Sequence, residues 1–161
     1  MVFGCRTIEN ETPHEAGRAL LAQLWASHVG SDLPPIAIAE RGKPYFVDSP
    51  WHFSITHTPR HAFAVLSQHP IGIDAEEMDR PIRPELAKKI LSPTELPRHE
   101  AAADQRAALL KLWVLKEAWV KYTGEGLRGY PNRTDFSPDD PRVFEHSGCY
   151  VAIIEEEHHA F

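Results

Sequence analysis

The sequence predicts an α+β fold of two similar halves, each consisting of antiparallel strands packed on a helix. Three observations support this prediction. Two long segments have the apolar periodicity of helices, short segments of strand composition accompany them, and turn residues separate those short segments. The 161 residues, 42% of them hydrophobic, suffice for one compact domain. We expect residues 1–161 to form that domain, with halves at about 1–76 and 77–161.

The first helix is predicted to begin at Thr12, because Pro13 and Glu15 complete the pattern of a capping box. Its apolar stripe is formed by Leu20, Leu21, Leu24 and Trp25. After this helix, turn residues in RGKP, TPR and QHP separate short segments that have the composition of strands. The predicted strands cover residues 35–40, 45–47, 51–58, 61–67 and 71–76.

The second half is predicted to follow a crossing marked by Pro81 and Pro84. The segment SPTE, residues 92–95, offers another capping box. The segment DQRAALLKLWVLKEAWVKYTG has the periodicity of a long helix that ends near Gly124. The segment GCYVAIIEEE then has the Val and Ile content of a strand. The second half therefore repeats the combination of a long helix and strands.

Composition argues against several classes of protein. The net charge is −6 without a long block of Lys and Arg, which argues against extensive contact with nucleic acid. No apolar run approaches the roughly 18 residues of a membrane span, and the N-terminus lacks the pattern of a signal peptide. We therefore expect a cytoplasmic protein without a membrane partner. Cys5 and Cys149 lie outside any CxxC pattern, which predicts idle thiols rather than a disulfide or a thiolate metal site.

The stretch GIDAE places two carboxylates one residue apart at the end of a predicted strand. Side chains alternate along a strand, so Asp74 and Glu76 project from one face, with Cα atoms about 6.5–7 Å apart. Oxygen ligands of this kind suit Mg²⁺ or Mn²⁺. The alternative is an ordinary solvated strand face, which is often charged.

The stretch WVLKEAWVK repeats functional side chains every four residues. Trp113, Glu117 and Lys121 therefore lie along one face of the predicted helix, and Lys116 flanks it. The alternative is an exposed Glu–Lys pair of little energetic weight. Tryptophan on this face favours partial burial of the face. A buried carboxylate and ammonium lose their hydration, so an ion or a phosphate would be needed to compensate their charges.

Two further stretches offer contacts to an anion. In SITHT, the hydroxyls of Thr56 and Thr58 can donate to phosphate oxygens, and His57 ends the strand beside them. The alternative for His57 is a structural histidine that completes an apolar face. In RGKP, Lys43 and Pro44 are consistent with a simple turn, in which Lys43 is solvated.

Together these stretches are similar to a known family. GKP, SITHT, GIDAE, LSPTE and WVLKEAWVKYTGEGL resemble, in this order, the motifs of 4'-phosphopantetheinyl transferases of the surfactin-synthetase-activating type, from about Arg18 to Leu127. The resemblance implies transfer of the phosphopantetheine arm from coenzyme A to a serine of an apo acyl or peptidyl carrier protein. It also implies release of 3',5'-ADP, dependence on Mg²⁺, and two α+β halves with coenzyme A bound between them.

The resemblance assigns roles to individual residues. It implies that Asp74, Glu76 and Glu117 are metal ligands, that Glu117 is also the general base, and that Lys121 contacts the pyrophosphate. The contacts to coenzyme A that it implies are made by Arg18, Lys43, Pro44, Thr56 and His57. A metal and a lysine would neutralise charge on the leaving phosphate while a carboxylate activates the serine hydroxyl.

The sequence departs from the family in two places. Ser54, Thr56 and Thr58 stand in a hairpin where relatives commonly have Asn and Ser. The chain also begins so close to the helix of Arg18 that we expect an N-terminal edge strand and its phosphate-binding lysines to be absent. Two other functions remain open: a metal-dependent phosphoesterase, and a non-catalytic module that binds coenzyme A or a carrier protein.

A basic segment directly follows the GIDAE stretch. Arg80, Arg83, Lys88 and Lys89 lie in DRPIRPELAKKIL, with both lysines on a predicted short helix. We expect this patch to steer an acidic carrier protein toward the site. The alternatives are a solvated cationic face and docking at GEGLRGY.

Overall fold

The computed structural model describes residues 1–126 and 134–156. These residues form an α+β fold, as predicted. The helices are α1 (Pro13–His28), α2 (Leu86–Ile90), α3 (Glu95–Ala101) and α4 (Gln105–Thr123). The strands are β1 (Val2–Thr7), β2 (Ile36–Ile38), β3 (Pro44–Phe46), β4 (His52–His57), β5 (His61–Ser67), β6 (Ile71–Glu77), β7 (Val143–His146) and β8 (Cys149–Glu155).

Two three-stranded antiparallel sheets share one connectivity. Their strand orders are β1-β5-β4 and β6-β8-β7, so the last strand of each sheet in sequence lies in the centre. In each sheet, a long helix separates the first strand from the other two: α1 in the first and α4 in the second. The hairpin of β2 and β3 stands apart as a two-stranded sheet.

The strand pairing differs from the predicted division of the halves at residue 76. Strand β6 was expected to close the first half, but it pairs with β8 along its whole length, from Ile71 opposite Glu155 to Glu77 opposite Cys149. The change of sheet therefore falls in the turn at 68–70, before β6. Local periodicity identifies a strand, whereas sheet membership depends on a partner more than 70 residues later.

The molecule is layered as helix, sheet, sheet and helix. Between the two sheets lies an apolar core that contains Phe63 and Val65 from β5, Ile73 from β6 and Val151 from β8. Helix α1 covers the outer face of the first sheet, where Leu21 and Trp25 pack against Phe46 and Phe53. Helix α4 covers the outer face of the second sheet, where it contacts Tyr150, Ala152 and Ile154.

The N-terminal edge strand is present, so its expected absence is wrong. Strand β1 pairs with β5 in continuous register from Val2 opposite Leu66 to Thr7 opposite His61. Gly4 lies close to α1, since a Cβ at that position would be 2.9 Å from Cδ2 of Leu24 and the leucine side chain would have to shift. The short segment VFGCRT is thus long enough to cover the edge of the sheet.

The helix signals of the sequence are confirmed. The side chain of Thr12 accepts from the amide of Glu15 and the carboxylate of Glu15 accepts from the amide of Thr12. Ser92 and Glu95 make the same reciprocal pair of hydrogen bonds ahead of α3. Helix α4 ends at Gly124, whose φ of 72° is in the left-handed region that glycine adopts without strain.

No helix in the two described ranges is both long enough and apolar enough to span a membrane. The last residue of the family resemblance, Leu127, and most of the alternative docking stretch GEGLRGY lie outside the described residues.

Candidate active site

A close contact between β6 and α4 builds the centre of the candidate site. Gly72 on β6 lies against α4 so tightly that a Cβ there would be 2.2 Å from the carbonyl oxygen of Ala118 and 2.4 Å from the amide nitrogen of Tyr122. Since both partners are backbone atoms, a side chain at this position would displace the helix. Glycine in GIDAE therefore allows the functional faces of β6 and α4 to meet.

Asp74 lies where these two elements meet. Its Oδ1 accepts a hydrogen bond from Nζ of Lys121 at 2.9 Å and another from the hydroxyl of Thr56 at 3.1 Å. The Asp74 residue is buried, whereas 32% of the Lys121 side chain is exposed. The structure thus brings together β4, β6 and α4. The sequence had predicted functional residues on each of these elements separately.

Glu76 follows Asp74 on the same face of the strand. It forms an ion pair with Arg80, four residues later. Burial raises the pKa of the Glu76 carboxyl above its usual value, and the charge of Asp74 adds to the increase, although Arg80 opposes it. The two acids of GIDAE therefore repel one another in a partly buried setting, unlike a solvated strand face.

Glu117 completes the set of carboxylates. It is half-buried on α4, one helical turn before Lys121. Burial is the main cause that raises the pKa of its carboxyl, the charges of Asp74 and Glu76 raise it further, and Lys121 opposes them. The acids are thus close enough to destabilise one another when ionised. Carboxylate oxygens are the ligands that a hard divalent cation such as Mg²⁺ prefers, and such a cation would offset the mutual repulsion of these acids.

A cavity of about 220 Å³ opens beside Lys121. It is smaller than the roughly 300–1,000 Å³ of a site for a drug-sized ligand, so it suits one end of a larger ligand. The side chain of Lys121 both lines this cavity and binds Asp74. The other residues that line it are Arg41, Gly42, Lys43, Pro44, Phe53, Ser54, Ile55, Val120, Gly124 and Gly126.

Lys43 joins the two sides of the cavity. Its Nζ donates to the carbonyl oxygen of Tyr122 at 3.0 Å and approaches that of Ile71 at 3.4 Å. Burial lowers the pKa of the Lys43 ammonium. Lys43 is therefore not a solvated turn residue: it holds the turn between β2 and β3 against α4 and β6, and Pro44 beside it borders the cavity.

The hydroxyls of SITHT point toward β6. Ser54 accepts from the amide of Ile73 at 3.1 Å, Thr56 donates to Asp74, and Thr58 donates to Glu77 at 2.6 Å. These hydrogen bonds tie the first sheet to the second, a role that the alternation of residues in one strand could not reveal. In this arrangement the hydroxyls of Thr56 and Thr58 are engaged with carboxylates.

His57 and Arg18 belong to the first sheet and its covering helix. His57 ends β4 as an exposed residue next to Thr56. Arg18 is half-buried on α1 beside Gly17, where a Cβ would be 2.6 Å from Cγ2 of Ile55, a residue that lines the cavity. Both predicted contacts to coenzyme A are thus near the same side of the first sheet, and their roles stay predictions.

Lys116 does not flank the face of α4 that carries Glu117 and Lys121. It is fully buried and its Nζ lies 2.6 Å from Oε1 of Glu95 on α3, which is also fully buried. The same ammonium donates to the carbonyl and hydroxyl oxygens of Thr134. Sequence spacing placed Lys116 near Glu117, but adjacent helical positions point in directions about 100° apart.

The family comparison matches the second sheet and its helix. The profile of the 4'-phosphopantetheinyl transferase superfamily matches residues 70–158. This range begins one residue before β6 and includes Asp74, Glu76, Glu117 and Lys121.

Individual relatives extend the similarity into the first sheet. A 4'-phosphopantetheinyl transferase of Bacillus subtilis is 39% identical over 116 residues, which are 69% of this chain and 51% of the relative. The 4'-phosphopantetheinyl transferase Sfp of Bacillus subtilis strain 168 is 38% identical over 91 residues, 55% of this chain and 40% of Sfp. The 4'-phosphopantetheinyl transferase AcpT of Escherichia coli O157:H7 is 36% identical over 118 residues, 68% of this chain and 56% of AcpT. The chain spans about half the length of the curated relatives it matches.

Proposed function

The chain belongs to the 4'-phosphopantetheinyl transferase superfamily, and from this premise we propose that it transfers 4'-phosphopantetheine from coenzyme A to a serine of an apo acyl or peptidyl carrier protein. The similarity to Sfp fits the surfactin-synthetase-activating type. One observation carries the proposal: Lys121 lines the cavity and binds Asp74, in a region where Glu76 and Glu117 are electrostatically coupled to that aspartate.

The acidic residues are proposed to hold a divalent cation. Asp74, Glu76 and Glu117 would be its ligands, and their mutual repulsion supports this assignment. When bound, Mg²⁺ or Mn²⁺ would neutralise negative charge on the pyrophosphate of coenzyme A. Lys121 would exchange its bond with Asp74 for one to the pyrophosphate, which its partial exposure permits. Arg80 would correspondingly release Glu76.

Glu117 is proposed to act as the general base. Its carboxylate would take the proton of the carrier serine, whose oxygen forms a bond to the phosphorus nearest the pantetheine. The bond from that phosphorus to the 5'-phosphate oxygen then breaks, and 3',5'-ADP leaves with the electron pair. Lys121 would balance charge on the leaving group, so no covalent bond to the enzyme is required.

The nucleotide end of coenzyme A is proposed to occupy the cavity. Lys43 and Pro44 would border the adenine, since they form one wall of a space suited to a part of the ligand. His57 and Thr56 would contact the phosphates, and Arg18 would contact the 3'-phosphate. For Thr56 this role requires its hydroxyl to leave Asp74 or to act on both groups.

The carrier protein is proposed to dock near the basic patch, which we define as Arg80, Arg83, Lys88 and Lys89. All four residues are exposed, and both lysines lie on α2 as predicted. Arg80 connects the patch to the site through its ion pair with Glu76. Because the protein is acidic overall, a local patch of this kind would favour an acidic carrier.

The proposed function is tested by incubating the protein with coenzyme A, Mg²⁺ and a panel of apo carrier proteins of different net charge. Mass spectrometry should show one phosphopantetheine added to a carrier serine, together with 3',5'-ADP in solution. A carrier in which the acceptor serine is replaced by alanine serves as the control and should stay unmodified.

The two rival functions give different outcomes in the same assay. Release of phosphopantetheine or phosphate without a modified carrier would support the metal-dependent phosphoesterase. Tight binding of coenzyme A without any product would support the non-catalytic binding module. Either result would overturn the transferase proposal.

A further inference from the structure

A second cluster of metal-ligating side chains lies outside the proposed active site. His61 begins β5 of the first sheet, whereas Glu77 and Cys149 are directly paired on β6 and β8 of the second. Their ligand atoms all lie within 4.8 Å of one another. Because side chains alternate along β6, Glu77 projects from the face opposite to that of Asp74 and Glu76. The cluster is therefore separate from the acidic centre.

The distances within the cluster are close to those around zinc. Nδ1 of His61 lies 3.4 Å from Oε1 of Glu77 and 3.9 Å from Sγ of Cys149. Around a tetrahedral Zn²⁺, bond lengths of about 2.0–2.1 Å to nitrogen and oxygen and about 2.3 Å to sulfur give separations of about 3.3 Å and about 3.6 Å for these pairs. Adjustments of a few tenths of an ångström would thus bring His61 to ligating distance from each partner, and the ligand atoms of Glu77 and Cys149 lie within 4.8 Å of one another.

The surroundings supply outer partners for the carboxylate. Arg60 donates to Oε2 of Glu77 at 2.9 Å, and the hydroxyl of Thr58 donates to Oε1. Hydrogen bonds of this kind orient carboxylate ligands in metal sites. Since Arg60 binds the oxygen that faces away from His61, it leaves the opposite oxygen directed toward the histidine and the cysteine.

Cys149 would have to give up its proton to serve as a ligand. Burial and the neighbouring charge of Glu77 raise the pKa of its thiol to about 12. A divalent cation bound between the sulfur and the carboxylate would stabilise the thiolate, and the proton of the thiol would pass to solvent. The His61 side chain is 18% exposed, which leaves a route from solvent.

We propose that His61, Glu77 and Cys149 form a site for Zn²⁺ or a similar borderline-soft divalent cation, with water as the fourth ligand. The mixture of nitrogen, oxygen and sulfur donors selects this class of metal over Mg²⁺. The bound cation joins the first sheet to the second, because its ligands come from both. The sequence could not indicate the site, since the partners of His61 lie 16 and 88 residues away.

Cobalt binding to the full chain tests the proposal. Co²⁺ reports thiolate coordination through sulfur-to-metal charge-transfer absorption, and Zn²⁺ should displace it whereas excess Mg²⁺ should not. Cys149→Ser should abolish the charge-transfer band and weaken Zn²⁺ binding by at least about 100-fold, and His61→Gln should weaken it by at least about tenfold. Zn²⁺ should raise the melting temperature of the EDTA-treated wild type but not of Cys149→Ser.

Two control variants separate this site from other metal ligands. Cys5→Ser removes the other thiol, which donates toward Ser147 at 3.8 Å, and Asp74→Ala removes a ligand of the proposed Mg²⁺ site. Both variants should keep the charge-transfer band. Absence of the band in folded wild type, its persistence in Cys149→Ser, or its loss in Cys5→Ser would overturn the proposal.

Discussion

Helix α4 carries two lysine–carboxylate pairs that have the same chemistry but differ in their exposure to solvent and in their surroundings. Lys116 and Glu95 are 0% exposed, with 2.6 Å between nitrogen and oxygen. Lys121 and Asp74 are 2.9 Å apart, and 32% of the lysine side chain is exposed. The first pair is enclosed by α3 and the segment that follows residue 133, whereas the second opens into the cavity between β4, the turn at residues 41–44 and α4.

This difference separates a structural pair from one that can exchange partners. Glu95 also accepts from the amides of Ser92 and Phe136, so its charge is satisfied wholly by the protein. Asp74 has two other carboxylates near it, and their negative charges repel its own rather than neutralise it. A cation can therefore replace Lys121 as the partner of Asp74. In the described surroundings of Glu95, no group is placed to replace Lys116 as its partner.

The largest expected effect comes from breaking the enclosed pair. Lys116→Met should lower the free energy of unfolding by about 3–5 kcal/mol, because it leaves Glu95 buried and uncompensated. The matched variant Lys121→Met should cost less, about 1–2 kcal/mol, because Lys121 is partly exposed and the buried Asp74 keeps its hydrogen bond from Thr56. Urea unfolding of both variants measures the difference. Equal losses of stability would remove the distinction between the pairs.

The next largest effect concerns the catalytic activity that is proposed for the site of Lys121 and Asp74. Asp74→Ala or Glu117→Gln should lower kcat for carrier modification by about 100-fold or more, equivalent to about 2.7 kcal/mol, because each removes charge that acts in the transition state. Asp79→Asn is the control: this exposed acid pairs with Arg60, and its variant should stay within about twofold of wild type. Near-normal turnover of a folded Asp74→Ala protein would contradict the assignment of the metal ligands.

Local sequence patterns predicted the parts of this site but not their assembly. The alternation in GIDAE and the four-residue spacing in WVLKEAWVK placed Asp74, Glu117 and Lys121 on the correct faces, because each pattern is set within one element. That the two faces meet depends on Gly72, whose contact with α4 joins residues 46 or more positions apart in sequence.

Features that depend on distant partners were missed. Strand β1 is a short segment whose six residues become a strand only by pairing with β5. Lys116 was assigned to the wrong side of α4. Its partner Glu95 lies on another helix, and no local sequence pattern connects the two residues. The hydroxyls of SITHT were expected to face phosphates, and their hydrogen bonds to β6 emerge only when the two sheets are adjacent.

A smaller effect should appear in the binding of coenzyme A. Lys121→Ala and His57→Ala should each weaken its affinity by about tenfold, because each removes a cationic or hydrogen-bonding partner of a phosphate. Calorimetric titrations at several ionic strengths should also show a shallower salt dependence than wild type. Lys111→Ala is the control on the same helix, since Lys111 lies over the ring of Tyr150, 5.4 Å from its centroid. Unchanged affinity in both site variants would return Lys121 and His57 to structural roles.

The smallest expected effect is a change in how stability depends on pH, and it tests whether the open site is electrostatically strained. Burial and the charge of Asp74 raise the pKa of Glu117 in the folded protein above its unfolded value. The protonated form is therefore favoured by folding, so this contribution to stability is complete below the unfolded pKa and is lost as the pH rises through the raised folded pKa. Without metal, Glu117→Gln should consequently become more stable than wild type as the pH increases across that window.

Glu77 gives a control of opposite sign one residue beyond the acidic strand face. Burial raises the pKa of its carboxyl, but hydrogen bonds from Thr58 and Arg60 outweigh burial and the pKa is lowered overall. Its contribution is present above the unfolded pKa and lost as the pH falls through the lowered folded pKa, so Glu77→Gln should be less stable than wild type at neutral pH. Urea midpoints measured in EDTA from acidic to neutral pH compare the two variants. If Glu117→Gln and Glu77→Gln changed stability in the same direction, the opposite pKa shifts of these two carboxyls would be contradicted, and with them the repulsion among Asp74, Glu76 and Glu117.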